Sequence, residues 1–167
     1  NNMDSFVSDA GITQAQADML SVSVFLSYAA GSVINGYLAD RFGAKRLVII
    51  GGIGTIVFNA MITLENQWIL LLITWVANGY VQSMIWVGGI SMLSHWWAEG
   101  SRGQGVGIAN FFSGLSHVTA YLLPIMILSL WPNIGWRTAM VIPMGVLLLF
   151  VILFGIFAVD KPADKHL

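Results

Sequence analysis

Three sets of polar and aromatic side chains interrupt otherwise apolar stretches of this 167-residue chain. The first is Ser21, Tyr28, Ser32 and Asn35. The second is Trp75, Asn78, Gln82 and Trp86, and the third is Asn110, Ser113, His117 and Tyr121. Steps of three and four, or their sum, put each set on one side of a helix. His117 is the sharpest candidate. An imidazole can change charge near neutral pH, so within a membrane it could hold an anion or carry a proton. A neutral imidazole bonded to a neighbouring helix is the plainer reading. The serines and Asn35 read first as bonds between helices. Tyr28, Gln82, Trp86 and Asn110 read better as the wall of a water-filled cavity near mid-membrane.

Other chemistries find little footing. Without cysteine, disulfides and thiolate reactions are excluded. No Ser/His/Asp grouping, metal-ligand cluster or pair of intramembrane carboxylates can be argued, so neither an enzyme nor a cofactor is expected. The run Arg102-Gly103-Gln104-Gly105-Val106-Gly107 looks like a phosphate loop. It lacks the preceding strand of such a loop. Its glycines, with Gly51, Gly52 and Gly54, are expected to let helices approach closely. Asp18 and Glu65 are expected at water-facing helix ends, and His95 in an aromatic belt with Trp96 and Trp97.

The elements that position these residues are apolar helices. The chain is 57% hydrophobic and 9% charged, against about 25% charged in a soluble domain. Its mean hydropathy is +0.79. Five spans are expected, at about 18–39, 47–63, 68–97, 103–130 and 136–159. Thr13 and Gln16 form a capping-box pattern ahead of the first. Pro124 and Pro143 fall inside the last two and are expected to bend them. Short links make successive spans antiparallel neighbours. Arg41, Lys45, Arg46, Arg102, Lys161 and Lys165 fall on one side of the membrane, against only Arg137 on the other. That bias places loop 40–46 and the C-terminus in the cytoplasm and the acidic N-terminal segment outside. A first segment that begins outside without a signal peptide suggests a helix ahead of residue 1. The near-zero net charge of −1 gives no reason to expect nucleic acid.

One loop is more specific than any composition. Gly36-Tyr37-Leu38-Ala39-Asp40-Arg41-Phe42-Gly43-Ala44-Lys45-Arg46 joins the first two spans. Asp40 lies at the negative end of a helix dipole, which disfavours it by about 0.3–1 kcal/mol. Its use must therefore be a contact: with Arg41, with Arg46, or with the positive N-terminus of a neighbouring helix. Gly36 would permit close backbone approach, and Gly43 a left-handed helix end. A loop serving orientation alone would not require Gly36, Asp40 and Gly43 together.

This loop resembles motif A of the major facilitator superfamily, G-x-L-a-D-r-x-G-r-k-r. It departs at Ala44, where the family often has a base. Trp86, followed nine residues later by His95-Trp96-Trp97 and then by Arg102-Gly103, resembles the organophosphate:phosphate antiporters within that superfamily. Tyr28, twelve residues before Asp40, falls where that family has a substrate-cavity tyrosine, and Asn110 matches a family asparagine. A family lysine is replaced by Ser32. A family histidine is replaced by Ser113, with His117 one turn on.

The resemblance implies an all-α membrane protein whose five spans are helices 2 to 6 of the N-terminal bundle. It implies secondary transport of a small organic anion, by organophosphate/phosphate exchange through alternating access, in a bacterial inner membrane. Tyr28, Gln82, Trp86, Asn110, Ser113 and His117 would face the substrate. Gly36, Asp40, Arg41, Gly43, Lys45 and Arg46 would form the conformational motif, with Asp40 latching one closed state. The expected partners are a small organic anion or phosphate, the lipid bilayer, the missing first helix and the second six-helix half. A proton- or sodium-coupled organic-anion symporter, a transporter-like sensor of sugar phosphates, and a ligand-free membrane subunit are the rival readings.

Overall fold

The computed structural model describes residues 11–65, 67–130 and 136–160. Five helices account for most of them: α1 (Gln14–Phe42), α2 (Ala44–Leu64), α3 (Trp68–Trp96), α4 (Arg102–Leu130) and α5 (Trp136–Phe157). A single 3-10 turn, Glu99–Ser101, leads into α4. No strand occurs among the described residues. α1 to α4 are long and apolar enough to cross a membrane; the apolar stretch of α5 whose side chains are described, Val141–Phe157, is shorter.

The helix boundaries have local causes. The capping box forms at the start of α1: the Thr13 hydroxyl accepts the Gln16 N–H at 3.3 Å, and Gln16 Oε1 accepts the Thr13 N–H at 2.8 Å. These bonds satisfy backbone donors that a helix start leaves open, so α1 begins at Gln14, ahead of the purely apolar stretch. Glu65 is extended and ends α2, and its carboxylate accepts the Gln67 N–H at 2.8 Å. Trp97 is likewise extended and ends α3. Pro143 lies inside α5.

α3 is the centre of the bundle and packs most extensively on α1 and α2; α2 also contacts α5. In lipid the hydrophobic effect does not drive helices together, so close packing and interhelical hydrogen bonds must do it. Small residues supply the close packing. A Cβ on Gly31 would come within 2.6 Å of Ser83 Oγ, and one on Gly79 within 2.7 Å of the Val24 carbonyl. Between α2 and α3, a Cβ on Gly51 would meet the Val81 carbonyl at 2.8 Å, and Gly54 lies against the Val81 side chain. Gly52 receives Val151 of α5. The expected glycine contacts of α4 are only partly present: Gly105 seats Trp97, whereas Gly103 and Gly107 face open space among the described residues.

Two apolar clusters close the ends of the α1–α2–α3 unit. Ile12, Ala17, Leu20, Ile62 and Leu71 form one, with Trp75 packed against it. Ala39, Leu47 and Met84 form the other. Outward-facing side chains are large and apolar, with Phe25 74% and Val33 80% exposed. A surface of this kind suits lipid or further helices, not water.

Candidate functional site

At mid-depth the helices enclose a cavity of about 500 Å³ that is mostly apolar with a few polar groups, the usual character of a small-molecule site. Tyr28 of α1, Gln82 and Trp86 of α3 and His117 of α4 line it. Counted along the helix axes at 1.5 Å per residue, Tyr28 is about 21 Å from the end of α1 and Trp86 about 15 Å from the end of α3. These four side chains come from three helices and belong to the three polar sets seen in the sequence.

Asn110 and Ser113 are not among the side chains that line it. On α4 the cavity is lined by Ala109 and His117. Asn110 is rotated about 100° from Ala109 and is exposed. Ser113 is half-buried on the stripe between Ala109 and His117, and its carbonyl accepts His117 Nδ1 at 2.6 Å. That bond puts the proton of the neutral ring on Nδ1 and leaves Nε2 as its free nitrogen. The α3 set also divides. Asn78 is buried and donates through Nδ2 to Asn59 Oδ1 of α2 at 3.0 Å, so it joins helices.

Asn35 does the same between α1 and α3, with Nδ2 donating to Ser83 Oγ at 2.7 Å and to the Tyr80 carbonyl at 3.3 Å. Ser21 and Ser32 donate to carbonyls of their own helix, those of Ala17 and Tyr28.

Thr55 was not among the expected residues. It lines the same cavity from α2, is 5% exposed, and its hydroxyl is buried without a hydrogen-bond partner among the described residues. A lone threonine in an apolar helix gives no periodic signal, which is why spacing did not mark it.

At the other end of α1, loop 40–46 has a different local geometry from the one expected. Gly43 has φ 91° and ψ 135°, outside the left-handed helical region but a backbone that side chains with a Cβ rarely adopt. Gly36 is half-buried, and a Cβ there would meet nothing within 4 Å. The close approach expected there occurs instead at Gly31, and at Gly88, where a Cβ would come within 2.9 Å of the Ala44 carbonyl. Asp40, Arg41 and Arg46 are exposed. Arg41 lies over the Phe42 ring, 5.5 Å from its centroid. The acid at the N-terminus of α2 is Asp160, whose Oδ1 accepts the Lys45 backbone N–H. Asp40, Arg41, Gly43, His95 and Asp160 surround a second cavity of about 400 Å³. His95 is exposed, with Nδ1 bonded to the Ser91 carbonyl at 2.8 Å.

No group of three or more His, Asp or Glu side chains is placed to hold a metal among the described residues. The arrangement offers hydrogen-bonding and aromatic groups around a solute.

Comparison with known proteins identifies the family. The model of the Major Facilitator Superfamily matches residues 2–167. A probable hexose phosphate transport protein of Chlamydia trachomatis is 25% identical over 162 residues, which cover 97% of this chain and 34% of that protein. A probable sulfoacetate transporter of Cupriavidus necator is 24% identical, with 95% and 36% covered. A human glucose-6-phosphate exchanger is 23% identical, with 87% and 27% covered. The chain thus spans about a third of the length of these relatives.

Proposed function

The chain belongs to the Major Facilitator Superfamily, and from that premise we propose that it forms part of a secondary transporter that exchanges a small organic anion, an organophosphate, for phosphate. The observation that carries this reading is the mid-depth cavity. It gathers Tyr28, Gln82, Trp86 and His117 from three helices at the level where transporters hold their substrates. The Gln82 amide can donate to anionic oxygens and His117 Nε2 can accept from a solute hydroxyl, while the Trp86 and Tyr28 rings supply apolar walls for the carbon skeleton. The likeness to hexose phosphate and glucose-6-phosphate carriers supports the organophosphate class.

In this reading the complete transporter adds a helix before residue 1 and a second six-helix half, and it works by rocking the halves about the central site. An apolar groove of about 510 Å³ between α4 and α5, lined by Phe112, Leu115, Thr119, Pro143, Val146 and Phe150, supports a further helix against this half. Loop 40–46 lies on the cytoplasmic side of a bacterial inner membrane, as the distribution of basic residues suggests. Asp40, exposed beside Arg41, is positioned to engage the second half and hold one closed state. In this reading Asn110 and Ser113, on the same side of α4 as His117, complete the substrate site.

A second reading, an ion-coupled symporter of another organic anion, is favoured by one observation. The sulfoacetate relative resembles this chain about as well as the hexose phosphate relatives do. Phosphate counterflow separates the two. The complete protein in phosphate-loaded proteoliposomes should take up labelled phosphate, and hexose or glycerol phosphates should compete. A folded protein that shows no exchange, but accumulates a sulfonate under a proton or sodium gradient, would establish the second reading instead.

A further inference from the structure

The N-terminus of α2 is poorly provided for by its own sequence. Its N-cap is Gly43, which has no side chain to accept a bond, and its first turn contains no acid. Instead Lys45 and Arg46 place two bases at the positive end of the helix dipole. The missing acceptor arrives from 115 residues further on. Asp160, just past the end of α5, accepts the Lys45 N–H with Oδ1. Its other oxygen, Oδ2, would lie 3.1 Å from a Cβ on residue 43, so a glycine there makes room for the carboxylate. The same segment is held from a third side. Trp96 Nε1 at the end of α3 donates to the Val159 carbonyl at 2.9 Å. The loop between α1 and α2, the end of α3 and the exit of α5 therefore meet at one junction. Asp40 and Arg41 remain exposed on its open face.

From this junction we infer that Asp160 is a positioning residue for transport: its carboxylate caps α2 and fixes loop 40–46 to the α5 exit, so that Asp40 is presented in one geometry as the halves close. The inference rests on the transporter reading for its consequence but not for its geometry. Asp160 does not line the substrate cavity, and the cap it makes is about 17 Å along α2 from Thr55. Its loss should therefore act on the rate of conformational exchange and leave substrate affinity alone. Trp96 belongs to the H-W-W run, so the junction also gives that run a structural task at the loop.

Two readouts on the complete protein test this. The first is amide hydrogen exchange over a peptide containing Lys45, measured without substrate. Asp160→Ala should raise exchange there by about tenfold. Asp160→Asn, which keeps an accepting oxygen, should stay near wild type. The second readout is phosphate counterflow, where Asp160→Ala should lower the maximal rate by about fivefold with KM within about twofold, and Asp160→Asn should recover most of that rate. Wild-type amide protection in Asp160→Ala would overturn the cap. Raised exchange with an unchanged maximal rate, or a selective rise in KM, would overturn the positioning role. If Asp160→Ala does not accumulate in the membrane, Trp96→Phe removes only the indole donor and carries the same readouts, with the same directions expected. If wild-type protein exchanges no phosphate, the phosphate-exchange reading fails, and the amide arm still decides the cap.

Discussion

Asn35 of α1 and Ser83 of α3 meet inside the bundle with no exposed surface on either, Asn35 Nδ2 lying 2.7 Å from Ser83 Oγ. The Ser83 hydroxyl in turn donates to the Tyr80 carbonyl at 2.7 Å, and Asn35 donates to the same carbonyl. The triangle fixes the register of two parallel helices just beside the close approach of Gly31. Interhelical bonds in membranes average about 0.6 kcal/mol and reach about 2. Asn35→Ala removes two such donations and leaves a small void, so it should destabilise by about 1–2 kcal/mol in reversible unfolding from detergent. Ser83→Ala should cost less, and the double mutant should show coupling of about 0.5 kcal/mol or more. Strictly additive losses would mean the two side chains are neighbours without a shared bond.

Thr55 presents the opposite case, a buried hydroxyl that the described structure leaves without a partner. Removing an unsatisfied polar group in favour of an apolar one of the same shape is neutral or stabilising. Thr55→Val should therefore unfold no earlier than wild type. Thr55 borders the cavity, but its hydroxyl is buried, so its loss should leave the substrate KM within about twofold. Lower stability with normal KM would show that Thr55 bonds another helix.

These two residues also mark how far the sequence could be read. Composition and length made the helices legible, and the capping box at Thr13 and Gln16 could be read residue by residue. Periodicity grouped Asn78 with Gln82 and Trp86. It could not say which neighbour each would meet, and Asn78 turned to Asn59 while the other two lined the cavity. On α4 spacing put Asn110, Ser113 and His117 on one side, and of these only His117, with Ala109, is on the cavity wall. The Asp160–Lys45 contact had no local signature at all, since its partners are 115 residues apart. Gly36 and Gly31 show the same limit: both sit in α1, and only the helix opposite decides which one needs to be small.

His117 allows a prediction with a sign. Its Nδ1 is committed to the Ser113 carbonyl, so the neutral ring offers the cavity only an accepting Nε2. An accepting nitrogen suits a donor on the solute, such as a hydroxyl of an organophosphate. His117→Ala should therefore raise the substrate KM by roughly two- to tenfold, the worth of one neutral hydrogen bond. An unchanged KM would assign His117 to helix packing.

Asp40 lies twelve residues from Tyr28 on α1, about 18 Å along the axis, so it cannot touch a substrate in the cavity. Its side chain is exposed, and the α2 N-terminus is capped by Asp160 instead. In the proposed transporter the two acids would divide their tasks: Asp160 holding the loop, and Asp40 meeting the second half. Asp40→Asn should slow counterflow by about fivefold with KM within about twofold, because it weakens one closed state without altering the site. It should also leave Lys45 amide protection at the wild-type level, which Asp160→Ala does not. Finding that Asp40→Asn deprotects Lys45 would mean the two carboxylates act together on the loop. A turnover rate equal to wild type would remove Asp40 from the latch altogether.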